Sequence, residues 1–315
     1  MHPIYSPGLR QPTATFNRHP GKEAYMLGLT IDHPAAVFRT EVSEKEVVRY
    51  YLPFSNLGPF NRLSHQFFAM LGPVLYRRPI NDWRRNVLGL PPAKRETHLN
   101  GRPVTTLYAY SPSVIPRPAD WDDTVVVTGY WFLDAPVGWQ PDPALVQFIQ
   151  NGPPPVYVGF GSMFMGGGVH KTAMVTTALK LAGQRGVLAT GWGGLTKGTN
   201  ADDIFVVDSV PHDWLFPQMT AIVHHGGAGT TAAALRAGKP GVICPFVGDQ
   251  FFWGRRVAAL GAGPAPIPQR KLTAERLAEA IQKAVTDPLI QSRSAALGEK
   301  IRAEDGVGQA VRMFP

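Results

Sequence analysis

The chain has 315 residues, more than one domain core usually contains, so we expect two domains. Its residues are 44% hydrophobic and 17% charged, which excludes a disordered or fibrous chain because enough apolar surface is available to build a core. The net charge is +8, and residues 51–102 alone carry eight Lys or Arg residues against two acidic ones.

The first half of the chain shows few clear elements. A helix is predicted around Glu41–Tyr51, and residues 61–90 have a helical pattern. Strands are predicted at Val104–Tyr110 and Thr124–Tyr130, which are β-branched and aromatic runs bounded by Pro, Asp and Gly. A segment rich in Pro and Gly, Asp134–Pro143, ends this half of the chain.

From Val156 onward, short apolar runs alternate with helical patterns. Apolar strands separated by helices are typical of a parallel sheet covered on both faces, the doubly wound α/β architecture. We therefore predict a partial N-terminal domain over residues 1–140 and a doubly wound domain over residues 141–315. The predicted strands are Val156–Phe160, Val187–Thr190, Ile204–Val207, Ala221–His224, Gly241–Pro245 and Ala265–Ile267, and the predicted helices lie near 169–184, 229–237, 249–260 and 273–286, with two more after Asp287.

Ligands on such sheets bind beyond the carboxyl ends of the strands. The strongest pattern there follows the fourth strand, where His224, His225 and a run of glycines and threonines lead into a helix. The glycines allow close approach, and the helix N-terminus with His225 supplies donors, which suits a diphosphate; His224 is expected to be structural. Glycine turns after the first two strands, with Gly161, Ser162 and Trp192, are weaker candidates for binding an oxyanion and a flat ring.

The fifth strand leads to Asp249 and Gln250, an acid-amide pair at the start of a helix. The pair could be a simple N-cap with its neighbour, but it also offers acceptors and donors for the vicinal hydroxyls of a sugar. The glycine loop also matches the dinucleotide fingerprint G-x-G-x-x-A, with Asp249 about 20 residues further on, which would indicate NAD. A nucleotide sugar fits better, because the motif follows the fourth strand and Asp249 begins a helix.

Other chemistry-bearing patterns are few. The sequence contains no G-x-S-x-G elbow, no Walker A motif and no zinc-ligand spacing, and Asp120 and Asp122 precede a strand in a turn, so no metal site is expected. The single cysteine, Cys244, lies in an apolar run and is expected to be buried in a cytoplasmic protein. No signal peptide or apolar stretch of about 18 residues is present, so any membrane contact is expected to be peripheral.

Taken together, these segments resemble the sterol 3β-glucosyltransferases of the UDP-glycosyltransferase superfamily, whose GT-B fold has two facing Rossmann-like domains. The resemblance covers residues 57–315 in order. It implies an α/β protein of GT-B type, with a C-terminal Rossmann-like domain and an incomplete N-terminal α/β domain. The segments that carry it include Trp83–Pro92, Thr128–Asp134, Pro154–Met163, Val210–Phe216, His224–Thr231 and Pro245–Gly254.

The resemblance implies that the C-terminal domain binds UDP-glucose and that glucose is transferred with inversion to a sterol or another lipophilic hydroxyl. It also implies that no metal or cofactor is needed, because the helix N-terminus and His225 take up the charge of the departing UDP. The implied contacts are Gly161, Ser162, His225, Gly227, Gly229, Thr230 and Thr231 for the diphosphate, Asp249 and Gln250 for the glucose, and Trp192, Val210 and His212 for the uracil and ribose.

The sequence departs from the family at its start. The family's opening glycine loop, which carries the general base, has no counterpart here, and residues 3–20 resemble a linker from the middle of that domain. We therefore expect about 100 residues of an ordinary domain, with the catalytic base, to be missing upstream. Two functions stay open, a glucosyltransferase and a UDP-sugar-binding module without transferase activity. For the basic segment 51–102 the hypothesis is contact with an anionic membrane that supplies a lipid acceptor, and no nucleic acid partner is expected.

Overall fold

The structure, a computed structural model, describes residues 76–92, 105–119, 121–161, 168–190 (168–170 by backbone only) and 202–313, and the backbone of three two-residue strands before residue 104. The chain forms two compact units. The first consists of residues 1–108 and 118–126, and the second of residues 109–117 and 127–315. The boundary predicted near residue 140 stays a prediction.

The first unit contains a small sheet of three strands, of which the first two are parallel. The strands predicted around 104–110 and 124–130 are confirmed with shorter bounds, and residues 76–86 are helical, as predicted. The predicted helix Glu41–Tyr51 and the helical pattern of residues 61–75 lie outside the described residues. In the order β1-β4-β5 the sheet contains Ala36–Val37, Thr105–Tyr108 and Val125–Val127, and a separate antiparallel pair contains β2 (His98–Leu99) and β3 (Arg102–Pro103).

The second unit is built on a parallel sheet of five strands. Its strands are the apolar runs that the sequence predicts, and their side chains are buried on both faces, as is usual for parallel strands between helices. The doubly wound architecture is thereby confirmed. The strands are β6 (Val156–Gly159), β7 (Gly186–Ala189), β8 (Ile204–Val207), β9 (Ala221–His224) and β10 (Gly241–Ile243), in the spatial order β10-β9-β6-β7-β8.

Helices cover both faces of this sheet. Along β6, Val156 and Val158 belong to one core and Tyr157 belongs to the other, because successive side chains of a strand point to opposite faces. The first core includes residues of α2 and α6, and the second includes residues of α1, α3 and α4. The helices are α1 (Pro143–Gln150), α2 (Gly168–Leu181), α3 (His212–Leu215), α4 (Ala228–Arg236), α5 (Gln250–Ala259), α6 (Ala274–Thr286), α7 (Pro288–Arg302) and α8 (Gly306–Val311), with 3₁₀ turns at Phe216–Gln218 and Gln269–Lys271.

The prediction of a strand at Ala265–Ile267 is wrong. The N–H of Ile267 donates to the carbonyl of Ile243 at 2.9 Å, and the N–H of Gln269 donates to the carbonyl of Pro245 at 3.1 Å. A parallel ladder would also need a bond from the N–H of residue 245 to the carbonyl of Ile267. Proline has no N–H, so the segment lies beside β10 without completing a ladder.

The strand order creates a crevice at one edge of the sheet. From β6 the chain proceeds to β7 and β8 on one side, and β9 and β10 lie on the other side. The connections from the adjacent strands β6 and β9 to β7 and β10 therefore run in opposite directions, and the loops that begin them lie side by side at the carboxyl ends of β6 and β9. Doubly wound sheets bind their ligands at such a switch point.

Candidate functional site

The loops after β6 and β9 meet around the ring of His225. Gly161 has a φ of +59°, and a Cβ placed on it would lie 3.3 Å from Cε1 of His225. A Cβ placed on Gly227 would lie 2.5 Å from Nε2 of the same ring. Glycine at both positions therefore leaves the space that the imidazole occupies.

One ring nitrogen of His225, the buried Nδ1, has no hydrogen-bond partner among the described residues. Burial lowers the pKa of His225 below its usual 6.5, while the carboxylate of Asp249 acts in the opposite direction. A neutral imidazole with an unused nitrogen can bond to an oxygen of a ligand.

The first turn of α4 lies directly after this histidine. Its N-cap residue, Gly227, provides no side-chain hydrogen bond, so the first amides of the helix have no acceptor within the helix. Ala228 and Gly229 are exposed, and a Cβ on Gly229 would meet nothing within 4 Å. The turn is therefore open to an anion, which the helix N-terminus favours.

The two threonines of the motif have a different position from the glycines. Thr230 and Thr231 are buried, and Oγ1 of Thr231 donates to the carbonyl oxygen of Gly227 at 2.9 Å. The hydroxyl of Thr231 therefore braces the first turn of α4. The N–H of Thr231 also donates to the carbonyl of Gly227, at 2.9 Å. The contact of these threonines with a diphosphate stays a prediction.

The acid-amide pair lies beside the glycine loop. Gly226 has a φ of +91°, and a Cβ on it would lie 3.0 Å from the carbonyl oxygen of Gln250. Asp249 is exposed and close enough to raise the pKa of His225, and its Oδ2 accepts a hydrogen bond from Nε1 of Trp253 at 3.2 Å. The two strongest sequence patterns, predicted separately, therefore lie at one edge of the sheet.

The side-chain oxygen of Gln250 already accepts hydrogen bonds from the backbone. The residue is 5% exposed, and its Oε1 accepts hydrogen bonds from the N–H groups of Phe246 and Val247 at 2.8 and 3.2 Å. These bonds fix the loop after β10. A sugar hydroxyl could then bond only to the NH₂ group of Gln250, which acts as a donor.

Two other predicted residues, Val210 and His212, follow β8. The ring of His212 stacks on Phe216 at 4.2 Å, and Val210 packs against the same core. Their side chains thus contribute to packing, and the predicted contact with a base and ribose stays a prediction. Ser162 and Trp192 lie outside the described residues.

Two residues near the site were not among the predicted ligands. Gly226 allows the loop to pack against the start of α5, and Trp253 orients the carboxylate of Asp249. The spacing i, i+4 between Asp249 and Trp253 on a predicted helix is the sequence signal that could have identified this pair. Gly226 gave no separate signal, because all three glycines of the loop look alike in sequence.

The part of the chain that the structure describes contains no group of three or more His, Cys, Asp or Glu side chains able to hold a metal ion. Within the same residues, no helix is both long and apolar enough to cross a bilayer. Cys244 is buried as predicted, and burial raises the pKa of its thiol to about 12. Asp249 precedes a helix instead of ending a strand, which does not match the position of the ribose-binding acid in a dinucleotide fold.

Comparisons with known proteins show what the chain is similar to. The family described as the C-terminal domain of erythromycin biosynthesis protein CIII-like proteins matches residues 196–309. A sterol 3-beta-glucosyltransferase of Arabidopsis thaliana is 43% identical over 76% of this chain and 39% of its own length. One from Cryptococcus neoformans is 36% identical over 90% of this chain and 20% of its own length. The chain thus spans two fifths or less of these relatives.

Solved glycosyltransferases share the fold. The glycotransferase of kitacinnamycin superposes with a TM-score of 0.57 at 22% identity, covering 76% of this chain and 61% of that protein. The glycosyltransferase VinC, solved in complex with dTDP, gives a TM-score of 0.56 at 24% identity, covering 74% and 58%. The predicted GT-B type of α/β fold is confirmed, and so is the resemblance. By sequence and by fold, the chain is a relative of the sterol 3-beta-glucosyltransferases with the GT-B architecture of glycosyltransferases.

Proposed function

We propose that this chain is the donor-binding part of a glucosyltransferase that moves glucose from UDP-glucose to a hydroxyl of a sterol or another lipophilic acceptor, with inversion. The observation that carries the proposal is the juxtaposition of His225, the open first turn of α4 and Asp249 at one edge of the sheet. The relatives are transferases, which supports this function over that of a binding module.

In the proposed complex, the diphosphate, the glucose and the nucleoside of the donor contact different parts of the crevice. The diphosphate binds the amides of the first turn of α4 and the free nitrogen of His225, where the helix dipole favours negative charge. The glucose reaches Asp249, whose carboxylate accepts from two hydroxyls, and the NH₂ group of Gln250, which donates to one. The loop after β8, with Val210 and His212, borders the nucleoside.

In the proposed reaction, the acceptor hydroxyl attacks the anomeric carbon as the bond to UDP breaks. A general base takes the hydroxyl proton. The amides of α4 and the N–H of His225 stabilise the negative charge that develops on UDP. No metal is proposed, because these donors supply the charge stabilisation.

The basic segment 51–102 is proposed to contact an anionic membrane surface that carries the acceptor, and the chain is proposed to work in the cytoplasm. The buried, single Cys244 suits that compartment.

A transfer assay tests the proposal directly. The purified chain is incubated with UDP-glucose labelled in the sugar and with a sterol, and the lipid extract is analysed for labelled steryl glucoside. We expect labelled product that requires both substrates and is reduced by the substitution Asp249→Ala. The transferase proposal is contradicted if UDP-glucose binds but no labelled steryl glucoside forms, both with this chain and with a version of it extended at the N-terminus.

A further inference from the structure

The helix over residues 76–86 carries an apolar stripe. Tyr76, Ile80, Trp83 and Val87 are spaced four, three and four residues apart, which places them within an arc of about 60° at 3.6 residues per turn. Val87 follows the last helical residue, but its N–H still donates to the carbonyl of Trp83 at 2.9 Å. The four side chains therefore form one continuous face, which we call the 76–87 stripe.

The 76–87 stripe is exposed. The four residues are 64%, 47%, 55% and 65% exposed in chain order, and no residue of the helix is buried. An amphipathic helix of this length gains its stability mainly by burying its apolar face against another surface. We therefore expect the stripe to pack against another surface.

The charges beside the stripe indicate what that surface is. Arg77 and Arg84 flank it on one side, and Arg78 and Arg85 lie further round the helix, with Asp82 as the one acidic residue in the run 76–87. Asp82 pairs with Arg85 at 3.8 Å, and Nε of Arg84 donates to the carbonyl of Pro91 at 2.9 Å. The net charge of the helix is positive, which complements an anionic surface.

The composition of the stripe points the same way. Trp and Tyr have an apolar ring and a polar group, a combination that favours the boundary between lipid headgroups and acyl chains. Helices that lie in this boundary combine arginines on one face with aromatic and aliphatic residues on the other.

We infer that the 76–87 stripe lies in the headgroup region of an anionic membrane, with the arginines of the same helix on lipid phosphates. The inference deepens the proposed function, because it names the element that would bring the chain to a surface holding a lipophilic acceptor. The binding itself does not depend on UDP-glucose.

Sedimentation with vesicles tests the inference on the full chain. Phosphatidylcholine vesicles are compared with vesicles that also contain phosphatidylserine. We expect binding to the anionic vesicles that weakens at high salt, because screening reduces the attraction of the arginines. The double substitution of Ile80→Ser and Trp83→Ser should lower the partition coefficient about tenfold or more, and Arg77→Ala and Arg78→Ala should lower it roughly fivefold each.

A matched control uses two other exposed apolar residues. Leu133 and Val137 are 98% and 107% exposed in the second unit, and their double substitution by Ser should leave vesicle binding unchanged. Two results would overturn the inference: equal binding of the wild-type chain to neutral and anionic vesicles, or the same partition for the Ile80 and Trp83 variant as for the wild type. The first result needs no variant, so misfolding of a variant does not leave the inference untested.

UDP binding separates this inference from the proposed function. We expect the Ile80 and Trp83 variant to bind UDP as the wild type does, because the donor site lies in the second unit. Vesicle binding without UDP binding would contradict the proposed function alone, and UDP binding without preference for anionic vesicles would contradict the membrane inference alone.

Discussion

The two histidines at the end of β9 are neighbours in sequence with opposite surroundings. His224 is fully buried, and its Nδ1 accepts a hydrogen bond from the N–H of Gly226 at 3.1 Å. His225 is half-buried at the glycine loop, and Nε2 of His224 and Nδ1 of His225 both have no hydrogen-bond partner among the described residues. His224 is thus structural, as predicted, and the contact of His225 with a ligand stays a prediction.

The burial of His224 predicts a pH dependence of stability. Burial lowers its pKa well below the usual 6.5, so in mildly acidic solution the unfolded chain binds a proton that the folded chain does not. The contribution of His224 to the free energy of unfolding is complete above pH 6.5 and decreases as the pH falls below that value. We expect urea unfolding to show this decrease, and the substitution His224→Asn to reduce it.

The substitution His225→Asn is the matched control for this measurement. The pKa of His225 is lowered to a lesser degree, so its replacement should remove a smaller part of the pH dependence. If His224→Asn leaves the slope of unfolding free energy against pH unchanged, the buried imidazole does not titrate as described.

The proposed contact of Asp249 with the sugar predicts that its substitution weakens the binding of UDP-glucose more than the binding of UDP. We expect Asp249→Ala to weaken UDP-glucose binding about tenfold, because charged hydrogen bonds to hydroxyls are lost, and to affect UDP much less. Trp253→Phe removes the hydrogen bond that orients Asp249 and should cause a smaller loss in the same direction. Titration calorimetry with both ligands measures the effect, and equal losses for UDP and UDP-glucose would show that Asp249 does not contact the sugar.

Two glycines at the start of α4, Gly226 before the helix and Gly229 in its first turn, have different surroundings. A Cβ on Gly226, at a φ of +91°, would lie 2.7 Å from Cγ2 of Ile243 and 3.0 Å from the carbonyl of Gln250. A Cβ on Gly229 would lie in open space, where we propose that the diphosphate binds. A substitution at Gly226 is therefore expected to affect stability, and one at Gly229 is expected to affect ligand binding.

We expect Gly226→Ala to destabilise the protein by roughly 1–3 kcal/mol, because of strain and the close contacts. Gly229→Ala should leave stability unchanged or raise it by up to about 1 kcal/mol, since alanine favours a helix, while weakening UDP binding. Urea unfolding and UDP titration of both variants measure this. Unchanged UDP binding in Gly229→Ala would place the diphosphate elsewhere.

The elements of the second unit could be predicted well from sequence, because apolar runs and glycine-rich ends mark buried parallel strands and helix starts. Five of six predicted strands and the helices between them are confirmed. The failure at Ala265–Ile267 has its cause in the segment that follows β10, where Pro245 has no N–H to donate. A prediction from strand propensity uses one segment at a time, so it does not include a missing N–H in the segment with which that strand would pair.

At the scale of the whole molecule, Glu304 connects distant parts of the second unit. Its Oε1 accepts a hydrogen bond from Oγ of Ser111 at 2.6 Å and one from Oγ of Ser113 at 3.4 Å. A Cβ on Gly129 would lie 3.2 Å from its Oε2. Ser111 and Gly129 lie close to the points where the chain passes between the two units.

We expect Glu304→Ala to lower the free energy of unfolding by about 1–3 kcal/mol, because the buried hydroxyl of Ser111 and the half-buried hydroxyl of Ser113 lose a charged acceptor. Glu299→Ala is the matched control, because Glu299 lies on the preceding helix α7 with its side chain exposed, and its effect should stay within about 0.5 kcal/mol. Equal stability of the two variants in urea unfolding would contradict this account of Glu304.

Contacts of this kind limit what sequence can predict about the site. Ser111 and Glu304 are 193 residues apart, and no pattern in either segment indicates the other. In the same way, Gln250 and His212 could be named from the sequence as candidate ligand contacts. The sequence does not indicate that Oε1 of Gln250 accepts hydrogen bonds from the loop after β10, or that the ring of His212 stacks on Phe216. The motifs located the candidate site, and the packing around them decides which atoms are free.

We propose that the glycine loop and first turn of α4 bind the diphosphate of a uridine nucleotide sugar. Titration calorimetry of the full chain with UDP, UDP-glucose and NAD measures this binding. We expect UDP and UDP-glucose to bind, each more weakly to the Gly229→Ala variant, and NAD not to bind. If NAD binds and neither UDP nor UDP-glucose gives heat, the glycine loop does not bind a uridine nucleotide sugar.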